Sequence, residues 1–326
     1  MGILLTVKRA IRQHGLWVTA LLTVAVFFGL FVVGDASRVV SALLAVDLWR
    51  VGVVFFLATI SYSVRFLKWE YYLRHIDIDI PLKTSLIVFF SGLMMVVTPG
   101  KAGEVWKAWF LRDLRDVPVS QTASVVGAER VTDLIALSAF AFLGLLIYQR
   151  SSVVLIAVVL LFILGISLLQ WRTFCLRVLG WVETLPIVGS YTTELEEFYE
   201  KTYSLFQLRP LGIATLISLL AWGLEGVALW VVLDGFTTQA TLLTALFVFG
   251  LGSVVGAASL LPGGLAAAEA SMVGLLIVLG YTQTTAVSAT VIIRVGTLWY
   301  GAMLGICVFV IYRFVTGHTG FAQTTD

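Results

Sequence analysis

The chain has 326 residues, of which 60% are hydrophobic and only 12% are charged, and its mean hydropathy is +1.00. Soluble domains keep about a quarter of their residues charged, so this composition excludes an ordinary soluble domain and predicts an all-α polytopic membrane protein. The formal net charge of +2 gives no reason to expect a nucleic-acid partner.

Six apolar runs are long enough to cross a hydrocarbon core. The first run is longer than the apolar part of a signal peptide, so we interpret it as a retained span. The predicted spans are 16–33, 51–67, 130–148, 151–170, 211–233 and 286–312.

Two further apolar segments, 84–98 and 241–261, each end in a proline-glycine motif, "VVTPGKAGEVWKAW" and "LLPGGLAAAEAS". Proline removes a backbone donor and glycine permits unusual dihedral angles, so we expect helices to stop and restart there. Such a break is tolerated in a bilayer only inside protein or beside a wet cavity. The segments are therefore predicted to be re-entrant helical hairpins; eight or more full spans is the alternative.

A polar insert at 171–209 separates the two proline-glycine regions. Leu195, Phe198, Thr202, Leu205 and Phe206 share one helical face, and the glutamates of this segment lie elsewhere. The pattern predicts an amphipathic helix on the membrane surface, acting as a cytoplasmic connector.

If both termini are cytoplasmic, most lysines and arginines, including Lys68 and Lys107, fall on the cytoplasmic side of the membrane or at its rim. This asymmetry supports both termini in the cytoplasm whether the proline-containing segments are hairpins or full spans, and we expect a multi-pass protein of the cytoplasmic (inner) membrane. Arg65 lies close to the end of its predicted span, so we expect its side chain to snorkel to the interface.

The two proline motifs mark an internal repeat in a single transmembrane domain, 1–326, with halves at about 50–170 and 210–315. Pro99 and Pro262 are 163 residues apart, and Glu104 and Glu269 are 165 apart. Arg130 and Arg294 are 164 residues apart. Three predicted spans separate the hairpins, which gives the inverted-topology repeat found in many secondary transporters.

The helices that restart after each break have N-terminal amides without intrahelical partners, which suit an anion such as phosphate. Glu104 and Glu269 would either cap these amides or act on substrate and protons. Ionised residues within a span usually face a cavity or a partner, which makes Arg130 and Arg294 candidates. Glu225 is a proton carrier, an arginine partner or a neutral buried acid.

The motifs "TPGKAGEVWKAWFLR", "ERVTD" and "LLPGGLAAAE", in this order, resemble the flippase-like family, the membrane portion of lysylphosphatidylglycerol synthases and its stand-alone homologues. The resemblance covers roughly 15–315 and implies movement of anionic or polyprenyl-phosphate-linked lipids. It places these residues on motif positions: Pro99, Gly100, Gly103, Glu104, Glu129, Arg130, Asp133, Pro262, Gly263, Gly264 and Glu269.

The chain departs from the family pattern at three points. Lys101 and Lys107 stand where the family tends to have arginine. Lysine still attracts phosphate, but it cannot bind it with the bidentate geometry of arginine. Ala266 stands where the second motif commonly has another glycine. The chain carries no aminoacyl-transferase domain, so lipid aminoacylation is not expected of it.

The predicted function is a lipid transporter, or flippase, for a lipid with a phosphate headgroup, passing it through a cavity between the inverted halves. Glu104 and Glu269 are expected near each other, with Arg130 and Arg294 beside them. No metal or cofactor is expected, because the sequence has neither a ligand motif nor a soluble region that would hold one. The candidate substrate-binding residues are Pro99, Gly100, Lys101, Gly103, Glu104, Glu129, Arg130, Asp133, Glu225, Pro262, Gly263, Gly264, Glu269 and Arg294.

Two alternatives remain open. One is a membrane-embedded enzyme that acts on a lipid phosphate, although no predicted span contains a histidine. The other is a scaffold whose partner is a glycosyltransferase or a lipid-modifying enzyme, with 171–209 as the docking surface.

Overall fold

A computed structural model describes residues 23–98, 103–147, 192–237 and 239–316. Within these ranges all regular structure is helical and no strand occurs, as the composition predicts. The predicted span 151–170, most of the connector and the residues 99–102 lie outside the described residues.

The helices before the connector vary from short segments to helices of almost thirty residues. They are α1 (Thr23–Val33), α2 (Ala36–Ala45), α3 (Leu48–His75), α4 (Leu82–Gly92), α5 (Trp106–Arg115) and α6 (Val119–Ile147). A 3-10 turn, Leu93–Val97, extends α4. A sharp bend of 95° separates α1 from α2, and α2 is a helix that the apolar pattern did not predict.

The helices from the connector onwards follow a similar plan. They are α7 (Thr192–Leu205), α8 (Leu208–Phe236), α9 (Leu242–Ala258), α10 (Ala267–Val278), α11 (Gln283–Arg294) and α12 (Tyr300–Thr316). A 3-10 turn, Pro262–Gly264, precedes α10, and a π-helical turn, Val295–Trp299, joins α11 to α12. The N-cap residues Thr241 and Thr282 fix the starts of α9 and α11 by accepting hydrogen bonds from backbone amides three residues on.

Among the described residues, three helices are long and apolar enough to cross a membrane, namely Leu48–His75, Leu208–Phe236 and the continuous stretch Gln283–Thr316, and the bent pair α1–α2 would be a fourth if it forms one span. The three helices extend the predicted spans at both ends, because their polar ends are helical as well. The segments Leu82–Val97 and Leu242–Ala258 have 16 and 17 residues. At 1.5 Å per residue, 17 residues give about 25 Å, somewhat less than a bilayer core.

The same order of helices occurs twice in the described chain. A long helix (α3, 28 residues; α8, 29 residues) precedes a short apolar helix, a break and a helix of 10 or 12 residues. The internal repeat, its inverted orientation and the division into halves stay predictions.

The chain divides into two compact units. Unit 1 takes its described residues from 1–59, 94–104 and 224–303, and unit 2 from 60–93, 105–223 and 304–326. Each unit therefore contains parts of both predicted halves.

Unit 2 has an aromatic core. Trp69 and Tyr72 of α3 are fully buried, together with Leu111 of α5 and Leu205 of α7. The described part of the connector is helical, as predicted, and packs against α6. Phe198, which we predicted on the apolar face of this helix, is 37% exposed, whereas Tyr199 is buried.

In unit 1, α9 and α10 approach each other closely through glycines. A Cβ atom at Gly264 would lie 3.0 Å from the Gly256 Cα atom and 3.1 Å from its carbonyl carbon and oxygen. Gly263 and Gly264 both have positive φ angles, +60° and +67°. The Pro-Gly-Gly motif is thus a tight turn that only glycine fits.

Ala266, at the position where the resemblance implies glycine, has φ +69° and ψ −52°. This backbone conformation is strained for a residue with a Cβ atom. The departure from the family pattern therefore coincides with local strain at the start of α10.

We predict that Gly264→Ala destabilises the protein by about 1–3 kcal/mol, because its Cβ atom meets backbone at a positive φ. Gly274→Ala is the matched control. Gly274 lies exposed within α10 with nothing within 4 Å of an added Cβ atom, so alanine should stabilise the helix there by about 0.5–1 kcal/mol. Thermal unfolding in detergent measures both; equal melting temperatures would contradict the proposed close approach.

We predict that Ala266→Gly raises the melting temperature, because glycine removes strain of up to about 1 kcal/mol. The neighbouring Ala267→Gly, at the first position of α10, is the control; it should lower the melting temperature, because glycine costs up to about 1 kcal/mol of helix propensity. If both variants lowered the melting temperature equally, the strain at Ala266 would be refuted.

Candidate functional site

Charged side chains are buried in both units. An ionised group inside a membrane-spanning region is costly unless it is paired, and such groups commonly mark functional sites. The buried ionisable residues within the described part of the chain are Arg65, Lys68, Glu104, Lys107, Glu129, Asp133, Glu225, Glu269 and Arg294.

Lys68 of α3 is the centre of a polar network in unit 2. Its Nζ atom lies 2.6 Å from Oδ1 of Asp133 and donates to Oγ of Ser218 at 2.8 Å. Ser218 also donates to the same Asp133 oxygen at 2.9 Å, and Thr132 Oγ1 lies 3.3 Å from Nζ. We call Lys68, Arg130, Thr132, Asp133 and Ser218 the Asp133 network; it joins α3, α6 and α8.

A second ion pair lies one turn earlier on α6. Lys107 Nζ of α5 is 2.7 Å from Oε2 of Glu129, and the two side chains are only 4% and 1% exposed. The ammonium also lies over the Trp69 ring, 4.6 Å from its centroid. A Cβ atom at Gly92 would lie 2.4 Å from the Lys107 Cγ atom, so glycine leaves room for the lysine stem.

Arg130 is the most exposed member of the Asp133 network. Its side chain is 27% exposed, whereas those of Lys68 and Asp133 are 1% and 4% exposed. Its Nη2 atom lies 3.2 Å from Asp133 Oδ2, the contact that the three-residue helical spacing predicts. Asp133 therefore bridges two cations, with Lys68 on one oxygen and Arg130 on the other.

One positional expectation was wrong in unit 2. Arg65 does not snorkel: it is 9% exposed, and its guanidinium lies 3.8 Å from the Trp222 ring centroid. The reason is that α3 continues to His75, so its charged residues lie within the helix and not at its end. Lys68 and Lys107 are buried in ion pairs, which was not predicted, and their assignment to the cytoplasmic side or its rim stays a prediction.

In unit 1, Arg294 ties the Pro-Gly-Gly turn to α10. Its Nε atom donates to Oε1 of Glu269 at 2.5 Å, and its Nη2 atom donates to the carbonyl oxygen of Gly263 at 2.8 Å. The alternative in which Glu269 caps its own helix is wrong, because α10 has no side-chain cap and this carboxylate binds the arginine. The π-helical turn begins directly after Arg294.

The first break is described only on its two sides. Thr98 Oγ1 accepts a hydrogen bond from the Gly103 amide at 2.9 Å and donates to the Met95 carbonyl at 2.7 Å. A Cβ atom at Gly103 would lie 2.6 Å from the Thr98 side chain. Pro99, Gly100 and Lys101 lie outside the described residues.

Each remaining candidate has a defined place in one unit. Glu104 is 6% exposed, in a short 3-10 turn at 103–105, and belongs to unit 1 with Pro262, Glu269 and Arg294. Glu225 is 3% exposed in the unit 1 part of α8. The predicted proximity of Glu104, Glu269, Arg130 and Arg294 stays a prediction.

Sequence reasoning missed the partners that neutralise the carboxylates. Lys68, Ser218 and Lys107 lie on three different helices, α3, α8 and α5, and only the fold brings their side chains to α6. One signal was available: Lys68 follows Arg65 by three residues, so both cations lie on the same face of one helix.

A family model described as "Lysylphosphatidylglycerol synthase TM region" matches residues 17–305 of the chain. The chain belongs to this family. The match includes every candidate residue in both units and both proline-glycine motifs.

Relatives of this family member include archaeal membrane proteins of the UPF0104 group. A UPF0104 membrane protein of Methanothermobacter thermautotrophicus is 27% identical over 311 residues, which cover 87% of this chain and 90% of the relative. A second one from the same organism is 24% identical over 74% of this chain and 78% of its own length. One from Pyrococcus horikoshii is 23% identical, covering 82% and 89%.

Membership of the family and the long apolar helices establish a multi-pass membrane protein. Within the described residues, no group of three or more histidine, cysteine, aspartate or glutamate side chains could hold a metal ion. The two clusters consist of buried ion pairs, and Arg130 has the most exposed side chain among their charged members.

We predict that Glu129→Gln destabilises the protein by about 3–5 kcal/mol, because Lys107 would then be a buried cation without its carboxylate. Glu194→Gln, on the exposed side of α7, is the control and should leave stability unchanged within about 0.5 kcal/mol. Unfolding midpoints in detergent test this, and an unaltered midpoint for Glu129→Gln would contradict the importance of the ion pair.

Proposed function

We propose that this protein is a lipid transporter that moves a phosphate-bearing lipid across the cytoplasmic membrane, with both termini in the cytoplasm. The cargo is a polyprenyl-phosphate-linked sugar or an anionic phospholipid. The headgroup passes through the protein while the tails stay in the bilayer. The sequence motifs that carry the family resemblance support this substrate class.

The observation that carries the proposal is the position of Arg130 at the accessible side of a buried ion-pair network. Lys68 and Asp133 are sealed from solvent, whereas the Arg130 side chain is 27% exposed. A guanidinium binds phosphate through two parallel hydrogen bonds, and in a low-dielectric setting such charge-assisted bonds are strong. Arg130 is therefore the proposed contact for the lipid phosphate.

The Pro-Gly-Gly turn in unit 1 supports the proposal of a protein that changes shape. Arg294 donates to the Gly263 carbonyl of the Pro-Gly-Gly turn and to Glu269 of α10, so one side chain links the turn to the helix that follows it. The π-helical turn next to it is a feature often associated with function. We propose that this contact alters when the headgroup passes, and that the two repeats have inverted topology.

We predict that vesicles of phosphatidylcholine containing the purified protein move fluorescent phosphatidylglycerol or a fluorescent polyprenyl phosphate between leaflets. Arg130→Ala should slow this movement at least tenfold, because the phosphate loses its guanidinium. The rate of Arg130→Lys should lie between those of wild type and Arg130→Ala, since lysine keeps the charge and loses the bidentate geometry. Dithionite quenching of the outer leaflet measures the rates.

Arg38→Ala is the matched control, because the Arg38 side chain is 75% exposed and its ion pair is with the exposed Asp35, three residues earlier. It should retain the wild-type rate. Rates equal to protein-free vesicles for both lipids, or a normal rate in Arg130→Ala, would contradict the proposal. A chemically altered lipid in the vesicles would favour the enzyme alternative.

A further inference from the structure

We infer that Lys68 is a positioning residue: it keeps Asp133 neutralised so that Arg130 can leave this carboxylate and bind a lipid phosphate. The inference rests on the proposed function and adds a residue to its site. The sequence motifs do not include Lys68.

The two cations contact different oxygens of Asp133. Lys68 Nζ is 2.6 Å from Oδ1, and Arg130 Nη2 is 3.2 Å from Oδ2. The shorter contact is also the more deeply buried one. Lys68 is therefore the tighter partner, and Arg130 holds the looser, more accessible position.

Lys68 itself is fixed. Its three N–H donors face Asp133, the Ser218 hydroxyl, the Thr132 hydroxyl and the Glu129 carbonyl, at 2.6, 2.8, 3.3 and 3.4 Å. With a side chain that is 1% exposed, it cannot reach a headgroup. Its effect on an anion must act through Asp133.

A buried carboxylate needs a cation, because an uncompensated charge in the interior is strongly unfavourable. With Lys68 present, Asp133 keeps its directly bonded cation when Arg130 moves to a phosphate. Without Lys68, Asp133 would keep only the weaker influence of the Arg65 charge, and it would compete more strongly with the phosphate for the Arg130 guanidinium.

The test is the affinity of the purified full-length protein for dioctanoyl phosphatidylglycerol, titrated by calorimetry in an uncharged detergent. Lys68→Met should raise the Kd about tenfold, within the coupling range of contacting groups. The double variant Lys68→Met/Asp133→Asn should return the Kd to within about threefold of wild type, because the competing carboxylate is gone.

Lys107→Met supplies the matched control for this rescue. Lys107 is an equally buried lysine, but it contacts Glu129 and not Asp133. Adding Asp133→Asn to Lys107→Met should therefore not improve binding, whereas a general effect of restoring charge balance would improve both pairs.

An unchanged Kd in folded Lys68→Met, or a double variant still about tenfold weaker than wild type, would overturn the inference. If Lys68→Met does not fold, the Kd of the double variant decides: a value within about threefold of wild type supports the inference, and one about tenfold weaker overturns it. Failure of the wild type to bind the lipid would overturn the proposed function as well. The two failures are therefore distinguished by whether the wild type binds.

Discussion

The cost of burying ionised groups is the constraint on which this structure depends. The chain is 60% hydrophobic, yet it encloses carboxylates and cations on α3, α5, α6, α10 and α11. Among the buried carboxylates, Asp133, Glu129 and Glu269 each contact a lysine or an arginine within 3.2 Å. Because apolar side chains of similar size would often be no less stable, the ion pairs point to a role beyond stability.

The two units meet this constraint in different ways. In unit 2, two lysines form ion pairs with Asp133 and Glu129 on one helix. The Arg130 side chain is more exposed than either lysine. In unit 1, Arg294 joins a carboxylate to a backbone carbonyl of a turn that contains two glycines with positive φ. The first arrangement suits the binding of an anion, and the second suits control of a helix break.

Much of the fold could be predicted from apolar runs and from proline and glycine, because membrane-spanning helices need long hydrophobic segments and breaks need these residues. The helix ends could not be predicted, since α3 continues through Lys68 and Arg74 to His75 despite its charges. The three-residue spacing of Arg130 and Asp133 places both on one helical face, which agrees with their contact. The burial of Lys68 and Lys107 could not be predicted, because it depends on Ser218 and Glu129, which reach them only in the folded chain.

The central claim is that a buried ion-pair network presents Arg130 to the phosphate of a membrane lipid. Mass spectrometry of lipids retained by the gently purified protein tests it most directly. The account predicts a phosphate-bearing lipid bound in stoichiometric amount to the wild type and strongly depleted from Arg130→Ala. Equal amounts of the same lipids on both proteins, with both folded, would contradict it.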